Sequence, residues 1–399
     1  MGTGEIGATS GRGAGGPAKG IRSVCFVAPF AYPVLSNRDA GPTGGAEVQQ
    51  VLCGRALRSA GLAVSFVVGT CGQAPREEHH GLAVYACPFR YLGGPRSRLL
   101  PDTVRLGRLL AGIRADLHLM ISPRSLLLPL ALYRRFLGGR LVKIVGSTPD
   151  VRDMGRGPSS LAYRAGVGAL DATVFQTEAQ AREGAANLGL RGPVIPTFIP
   201  EAPAVTKAGE RDIDVLWVGG CDANKRPGLL LDLARALPRH RFTMICGPRG
   251  DSGLYESIRS LARTLPNVEH LASVQSPDPT VPYWAQLAGH FARARVLVST
   301  SREEGFPNVF LEAWQAGVPV VTLSADPDGV VRREGLGCRS ETMPRLVEDV
   351  RGLLEAEDRR SATGEVCRRH VRQVHGTETL VNAYLELFRG LADRAAPGQ

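Results

Sequence analysis

Residues 299–321, STSREEGFPNVFLEAWQAGVPVV, contain a strand end, a polar loop, a helix and the start of a further strand. Pro307 suits a helix start and Gly317 the position after a helix end, so the spacing predicts a helix of about ten residues. Short β-branched runs at 296–300 and 319–323 flank it. The stretch therefore predicts a βαβ unit of a parallel sheet.

The same alternation extends outward in two series of strands. The predicted strands are 24–28, 64–68, 117–121, 141–145 and 173–176 in the first series, and 214–218, 241–246, 268–271, 296–300 and 319–323 in the second. Four prolines within 193–203 fix φ and remove backbone donors, which predicts an extended connector with a hinge at about 197–211. The chain of 399 residues is long enough for two such domains.

We predict an α/β protein with four parts. They are a disordered glycine-rich leader at 1–20, an N-terminal domain at 21–200, a C-terminal domain at 201–376, and a terminal helix and tail at 377–399. The last part carries an apolar stripe at helical spacing, which needs a surface to cover it. The sequence does not show which domain provides that surface.

Charge and composition limit the possible partners. The 48 Lys and Arg exceed the 38 Asp and Glu, and this net charge of +10 favours anionic partners. No recognised nucleic-acid-binding motif accompanies the charge, so we expect no nucleic-acid partner. The eight cysteines lack Cys-x-x-Cys spacing, which indicates neither a zinc site nor a disulfide framework. No apolar run approaches the roughly 20 residues of a bilayer span, and we expect a cytoplasmic protein.

Two turns between a strand and a helix offer candidate phosphate sites. Gly44 and Gly45 follow the first predicted strand and open a helix, where unpaired N–H groups can face an anion. Lys225 and Arg226 precede Pro227 at the equivalent turn of the second series, where their charge opposes the helix dipole unless an anion lies between. A tight turn in the first case and solvated basic residues in the second are the structural alternatives.

The loop and helix at 304–312 provide the third candidate. Glu304 follows a strand's carboxyl end, where open α/β sheets bind ligands, and it can accept hydrogen bonds from ligand hydroxyls. The segment Gly305, Phe306, Pro307, Asn308 can point backbone N–H groups at an anion. Glu312 lies inside the helix and can hold a diol.

These segments together resemble the signature of family 4 glycosyltransferases, which are retaining enzymes of the GT-B fold that use nucleotide-sugar donors. Glu304 and Glu312 are separated by seven residues, with Gly-Phe-Pro-Asn between them and Ala-x-x-x-Gly-x-Pro-Val-Val after them. The resemblance covers about residues 22–390 and extends to the glycine turn and to the Lys-Arg-Pro turn. The segment 326–329 resembles a subgroup associated with surface-polysaccharide assembly. The resemblance implies two Rossmann-like doubly wound domains that face a central cleft.

The resemblance also implies roles for the residues. Glu304 would contact hydroxyls of the transferred sugar, and Glu312 would bind the donor ribose. Lys225, helped by Arg226, would neutralise the diphosphate leaving group, while Gly44 and Gly45 would close on it from the other domain. The acceptor would be a saccharide or a lipid-linked saccharide, and neither a metal nor another cofactor is expected.

The sequence departs from the family pattern at two positions that concern the site. Many members carry Arg where this chain has Gly220, so one phosphate contact is missing, and Arg226 or Arg249 are candidate replacements. A His often follows the strand predicted at 141–145, whereas this chain reads Gly-Ser-Thr-Pro-Asp at 146–150. Two rival functions therefore stay open: a nucleotide-sugar epimerase or hydrolase of the same fold, and a non-catalytic nucleotide-sugar-binding protein.

Several other residues have structural interpretations. Asp326 and Asp328 flank a proline and precede a glycine, which is typical of a turn rather than a metal site. The polar run at 76–80 is interpreted as a loop, and His118 as a satisfied buried imidazole.

Arginines at 90–114 accompany a helical apolar pattern, which fits either docking on an anionic membrane surface or an ordinary solvated helix face. The first interpretation would place the protein peripherally at the inner face of the membrane.

Overall fold

The computed structural model describes residues 20–38, 44–89, 92, 99–152, 157–201, 211–274 and 285–394. The predicted leader lies almost wholly outside these ranges, as do Gly41–Thr43 of the first glycine turn, the arginines at 90, 96 and 98, and most of the predicted hinge. Within the described ranges, the chain forms two sheets with helices on both faces of each.

The first sheet has seven strands in the order β3-β4-β2-β1-β5-β6-β7, all parallel except β3. The strands are β1 (Ser23–Val27), β2 (Ala63–Val68), β3 (Arg76–His79), β4 (Leu82–Ala86), β5 (Leu117–Met120), β6 (Arg140–Val145) and β7 (Ala172–Phe175). The helices are α1 (Tyr32–Ser36), α2 (Gly45–Ser59), α3 (Leu99–Ile113), α4 (Leu127–Leu137), α5 (Pro158–Val167) and α6 (Glu178–Leu188). All five strands predicted for this domain are present within one or two residues of their expected ends.

The interpretation of 76–80 as a loop was wrong. Arg76–His79 form an edge strand that pairs antiparallel with Leu82–Ala86. His80 and Gly81 connect the two strands with φ of 54° and 76°, the left-handed backbone of a tight hairpin turn. The strand is too polar to show apolar alternation. Only one of its edges is paired, and none of its four residues is buried.

The second sheet has six parallel strands in the order β10-β9-β8-β11-β12-β13. They are β8 (Ile213–Cys221), β9 (Phe242–Pro248), β10 (Val268–Leu271), β11 (Ala294–Ser299), β12 (Val320–Thr322) and β13 (Gly337–Arg339). The helices are α7 (Pro227–Ala236), α8 (Ser252–Ala262), α9 (Ala288–Arg293), α10 (Asn308–Gln315), α11 (Val330–Arg333), α12 (Met343–Glu355), α13 (Glu357–Val374) and α14 (Thr377–Asp393). The five predicted strands are present, and β13 is an addition.

The terminal helix α14 returns to the first domain. Its apolar residues, among them Leu380, Tyr384 and Phe388, are buried in the core that α2 shares with strands of the first sheet. The return crossing lies beside the outgoing one, since His375 Nδ1 donates to the Thr197 carbonyl at 2.5 Å and the Ile199 N–H donates to the His375 carbonyl at 3.0 Å. The two chain crossings between the domains are therefore hydrogen-bonded to each other.

Among the helices of the described ranges, none combines the length and the apolar character that crossing a bilayer requires.

Candidate active site

A cleft of about 1150 Å³ lies between the two domains. Its walls come from segments that follow strand ends, because parallel strands of both sheets end toward it. The first domain contributes the start of α2 and residues after β5, β6 and β7, including Ser122, Gly146 and Gln176. The second domain contributes residues at the ends of β8 and β9 and the loop before α10. The cleft is large enough for a ligand of nucleotide-sugar size.

Lys225 and Glu304 form an ion pair in this cleft. Lys225 Nζ donates to Glu304 Oε1 at 2.5 Å, with 19% and 14% of the two side chains exposed. The loop that carries Lys225 is shaped by Asp222, whose Oδ1 accepts the backbone N–H groups of Asn224 and Lys225 at 2.9 Å each. The sequence predicted both residues as ligand-binding, and the structure brings them into direct contact across 79 positions of sequence.

The loops of Lys225 and Glu304 are also joined by hydrogen bonds to backbone carbonyls. Asn224 Nδ2 donates to the Glu303 carbonyl at 2.9 Å, and the Arg302 N–H donates to the Asn224 carbonyl at 2.9 Å. Thr300 Oγ1 donates to the Lys225 carbonyl at 2.6 Å. These contacts hold an ammonium and a carboxylate at fixed positions before any ligand arrives, which is the preorganisation that electrostatic catalysis needs.

Arg226 points away from the cleft. Its Nε donates to the Thr300 carbonyl at 2.6 Å, and its Nη2 donates to Ser324 Oγ at 2.8 Å. Its backbone is left-handed, with φ of 48°, because it caps the start of α7. Burial lowers the pKa of its guanidinium. Arg226 does not line the cleft, so its expected contact with the donor stays a prediction. Its hydrogen bonds instead help to fix the loop that carries Lys225.

Arg249 lies across Gly220 in the cleft. A Cβ atom built at Gly220 would be 2.6 Å from Arg249 Cδ, and one built at Gly44 would be 3.7 Å from Arg249 Nη2. The guanidinium is well exposed, and its Nε is 4.0 Å from Asp222 Oδ2. Among the described residues that line the cleft, the cations are Lys225 and Arg249. Because Gly220 has no side chain, the Arg249 side chain can occupy the space beside it.

The glycine turn of the first domain meets the α10 start of the second. Asn308 Nδ2 donates to the Gly45 carbonyl at 3.0 Å, and a Cβ at Gly45 would be only 3.0 Å from that nitrogen. Gly305 lies still closer to the first domain, since an added Cβ there would be 2.5 Å from the Gly146 carbonyl oxygen. Glycine at these positions therefore permits the close approach of the two domains.

The remaining residues of the 305–308 segment form the helix entry. Helix α10 begins at Asn308 with Pro307 as its N-cap and ends at Gln315, so it has eight residues rather than about ten. No acidic residue lies in its first turn, which leaves the positive end of the helix dipole open to a ligand. The Phe306 ring lies 5.0 Å from the His375 ring, centroid to centroid, and links the loop to the domain crossing.

Glu312 lies one helical turn beyond Asn308. Residues four apart share a face of a helix, although Glu312 is not among the cleft-lining residues. Its Oε2 is buried and has no hydrogen-bond partner. Burial raises the pKa of the Glu312 carboxyl to about 8. An unsatisfied buried oxygen fits a group that waits for a ligand donor, and the ribose contact stays a prediction.

Glu312→Gln should change how stability depends on pH. The folded protein keeps the Glu312 proton up to about pH 8, whereas the unfolded chain releases it near the ordinary value of 4.5. The unfolded state thus binds fewer protons between these values, and the free energy of unfolding falls as pH rises from 4.5 to 8. We expect the difference in stability between Glu312→Gln and wild type to depend on pH. From below pH 4.5 to above pH 8, thermal unfolding should show this difference shifting in favour of Glu312→Gln by on the order of a few kcal/mol.

The exposed control Glu348→Gln should show no such change. The difference in stability between Glu312→Gln and wild type could instead be the same below pH 4.5 and above pH 8. That result would contradict the claim that Glu312 is buried with a neutral carboxyl.

Asp326 and Asp328 belong to a turn, as the sequence predicted. Pro327–Gly329 form a single 3₁₀ turn, as expected for a turn, and Asp328 accepts the N–H groups of Glu178 and Ala179 at 2.7 and 2.9 Å across the domain boundary. Within the described ranges, no group of three or more His, Cys, Asp or Glu could hold a metal ion.

Burial lowers the pKa of His118 to about 4. His118 is buried as expected, but its Nε2 has no partner.

Apart from the glycine turn and the segment 146–150, where a His was expected, the sequence analysis did not single out the first-domain residues of the cleft. Ser122, Thr148 and Gln176 line it, and Thr148 Oγ1 donates to the Glu304 carbonyl at 3.4 Å. Ser122 and Thr148 follow closely on predicted strands, and Gln176 is the last residue of one. Polar residues at such positions were the signal that could have found them.

The comparisons with known proteins agree with this architecture. Residues 212–356 match the family model described as "Glycosyl transferases group 1". A search of curated protein sequences gave no match.

Solved structures with a similar fold cover nearly the whole chain. They include a sucrose-phosphate synthase from Thermosynechococcus elongatus (TM-score 0.75, 18% identity, 93% of this chain and 99% of that chain). Anabaena HepE in complex with UDP and glucose is similar (TM-score 0.69, 14% identity, 92% and 100%). So is an E. coli protein described as trehalose-6-phosphate bound with UDP-2-fluoro glucose (TM-score 0.65, 16% identity, 94% and 99%). The chain has the GT-B fold, and its residues 212–356 are similar to the group 1 glycosyltransferases.

Proposed function

We propose that this protein transfers a sugar from a nucleotide-diphosphate-sugar donor to a saccharide or lipid-linked saccharide, with retention of the anomeric configuration. The observation that carries the proposal is the Lys225–Glu304 pair, held by two interlocked loops in a cleft between two domains. An ammonium and a carboxylate 2.5 Å apart suit a ligand that is anionic on one side and rich in hydroxyls on the other.

The bond changes of the reaction assign a role to each group. The bond between the anomeric carbon and the phosphate oxygen breaks, which places negative charge on the leaving diphosphate and positive charge on the sugar. Lys225 and Arg249 stabilise the diphosphate, and Glu304 accepts hydrogen bonds from sugar hydroxyls. The open start of α10 faces the same anion.

In this proposal the anomeric configuration is retained because the acceptor attacks the anomeric carbon on the same face from which the diphosphate departs. The acceptor oxygen bonds to the anomeric carbon, and its proton passes to an oxygen of the departing phosphate. The donor lies mainly on the second domain, and the acceptor approaches from the first. Glu312 accepts a hydrogen bond from a ribose hydroxyl through its Oε2, which has no partner in the absence of a ligand.

The finer assignments rest on the sequence resemblance. We propose membership of family 4, a role in polysaccharide biosynthesis, a reaction without metal or cofactor, and a cytoplasmic location with peripheral contact to a membrane. The two HepE complexes with UDP or with UDP-glucose make UDP-sugars the donors to test first.

Thermal unfolding in the presence of UDP-, GDP- and ADP-sugars tests the proposal. A donor present at a hundredfold excess over its Kd stabilises the folded state by about 2.7 kcal/mol, so one nucleotide series should raise Tm by several degrees. The stabilising donor should then be consumed only when an acceptor is present. Release of free sugar or an epimerised donor without acceptor would favour a hydrolase or epimerase, and binding without any turnover would favour a non-catalytic binding protein.

A further inference from the structure

Helix α6 of the first domain begins on a carboxylate of the second domain. Asp328 accepts the backbone N–H groups of Glu178 at 2.7 Å and Ala179 at 2.9 Å, through one oxygen each. These are the first two residues of the helix, whose N–H groups have no partner within it and form the positive end of its dipole. Hydrogen bonds to an ionised acceptor are roughly twice as strong as those between neutral groups. The contact is therefore a strong one, and it joins two domains.

Helix α6 does not need Asp328 in order to form. Thr177 caps the same helix from within the first domain, since its side chain accepts the Gln180 N–H at 3.1 Å. Gly189 ends the helix with a left-handed φ of 66°, the common arrangement at a helix end. The start and end signals of the helix are thus complete in the first domain, and the role that the Asp328 contact adds is one between the domains.

The turn that carries Asp328 is held in place by its own domain. Asp328 and Gly329 have left-handed backbones, with φ of 52° and 68°, a conformation that Asp and Asn tolerate better than most residues. Asp326 Oδ1 accepts the Val331 N–H at 2.8 Å, and Arg333 Nη1 donates to the Asp328 carbonyl at 2.6 Å. These bonds fix the backbone on both sides of the carboxylate, which therefore keeps its direction toward α6.

The first-domain side of this contact continues into the cleft. Gln180 Oε1 accepts the N–H of Gln176 at 2.9 Å, and Gln176 lines the cleft. Gln180 Nε2 lies against the loop before α10, because a Cβ built at Gly305 would be 3.1 Å from it. The first turn of α6 therefore contacts the second domain at two places, the Asp328 turn and the loop that carries Glu304.

The second-domain side is also tied to the site. Asp328 follows Ser324 in the connection between β12 and α11. Arg226 Nη2 donates to Ser324 Oγ at 2.8 Å, and Arg226 Nε donates to the Thr300 carbonyl at 2.6 Å. Arg226 thus links the connection that carries Asp328 to the loop that carries Lys225.

Other contacts named above also join the domains near the cleft, but they are weaker. Arg152 and Glu303 form an ion pair whose side chains are 53% and 41% exposed, and exposed pairs contribute little. The bond from Asn308 to the Gly45 carbonyl joins uncharged groups, which bind about half as strongly as charged ones. Asp328 makes the strongest of these three contacts.

We propose that Asp328 is a positioning residue that clamps the two domains together and sets the distance between the walls of the cleft. Through α6 it holds the first-domain wall at Gln176 against the loop that carries Glu304. The inference goes beyond the proposed transfer reaction, and its test needs neither donor nor turnover. Each of the two proposals can therefore fail without the other.

Small-angle X-ray scattering of the full-length protein without ligand tests the clamp. The closed arrangement is the one in which Asp328 contacts α6, and wild type should fit it. Asp328→Gly removes the carboxylate but keeps a residue that tolerates a left-handed backbone. We expect it to shift the ratio of closed to open molecules at least about tenfold toward the open form, the usual effect of losing hydrogen bonds to a charged group.

A second variant breaks the same contact from the first domain. Glu178→Pro removes the N–H that Asp328 accepts, at the first helical position, where proline is favoured. It should open the protein as Asp328→Gly does. Because both act on one contact, Asp328→Gly/Glu178→Pro should open it no further than either alone. The control Glu178→Ala keeps the N–H and should scatter as wild type does.

Amide hydrogen exchange gives a measurement at the contact itself. The Ala179 N–H should be protected in wild type and should exchange at least about tenfold faster in Asp328→Gly. The Gln180 N–H, which is bonded to Thr177, should change less than about threefold. Asp328→Asn keeps one acceptor oxygen and should give an intermediate rate at Ala179.

Circular dichroism of all variants should match wild type, because Thr177 still caps α6. Wild-type scattering that does not fit the closed arrangement would overturn the proposal. So would an Asp328→Gly protein as closed as wild type, an Ala179 N–H that exchanges at the same rate in both, or a double variant whose shift is the product of the two single shifts.

Discussion

We expect Lys225→Ala to lower kcat/KM for the proposed sugar transfer by about 10²- to 10³-fold, the usual cost of removing one group aimed at charge that develops in the transition state. The Lys225 ammonium is held against Glu304 by a charge-assisted bond of 2.5 Å, and Asp222 and Asn224 fix its loop. Without it, the leaving diphosphate loses one of the two cations that the described part of the cleft provides. Steady-state kinetics with the stabilising donor measures the effect.

Neighbouring residues provide the controls for this result. Arg302→Ala removes an equal charge near the site, but the Arg302 side chain does not line the cleft, so a loss below about tenfold is expected. Glu304→Gln should cost at least tenfold more than Glu303→Gln, because Glu303 pairs with Arg152 across the domain boundary and not with Lys225. Wild-type turnover in Lys225→Ala would refute the assignment of the leaving-group cation.

Arg249→Ala should lower kcat/KM by a comparable factor of about 10², and a second substitution should restore part of it. Arg249 passes over Gly220, and any side chain at 220 would begin 2.6 Å from Arg249 Cδ. Gly220→Arg alone should therefore be impaired, because two arginines compete for the same space and repel each other. In Gly220→Arg/Arg249→Ala the new guanidinium enters the vacated space and can reach the same anion.

The double variant should recover at least about tenfold over Arg249→Ala alone. The Cβ atoms at 220 and 249 would lie 3.2 Å apart in this variant, so its thermal unfolding is measured beside that of wild type, which separates the loss of a phosphate contact from a loss of folding. If the double variant is no more active than Arg249→Ala, an arginine at position 220 cannot replace the phosphate contact of Arg249.

The sequence predicted the sheets well because buried parallel strands are short, continuous apolar runs. It missed the edge strands β3 and β13 for the opposite reason, since Arg76–His79 are polar and Gly337–Arg339 span only three residues. The apolar stripe of α14 predicted a helix but not its partner, because a stripe records which side chains are buried and not what covers them.

The site was predicted unevenly. Lys225 and Glu304 were named separately, and only the fold shows that they form one ion pair. Arg226 was favoured because it adjoins Lys225, but a cap residue with φ of 48° directs its side chain to the Thr300 carbonyl. Arg249 follows a different strand, β9, so its approach to Gly220 depends on the pairing of β8 with β9. Sequence adjacency cannot report such a contact.

A crystal structure with the nucleotide sugar that most raises Tm tests the central claim most directly. The account predicts the diphosphate between Lys225 Nζ and the Arg249 guanidinium, at hydrogen-bond distances of about 3 Å, with sugar hydroxyls on Glu304 in place of the present Lys225 contact. A donor bound elsewhere on the molecule, or bound in the cleft with its diphosphate away from both cations, would contradict it.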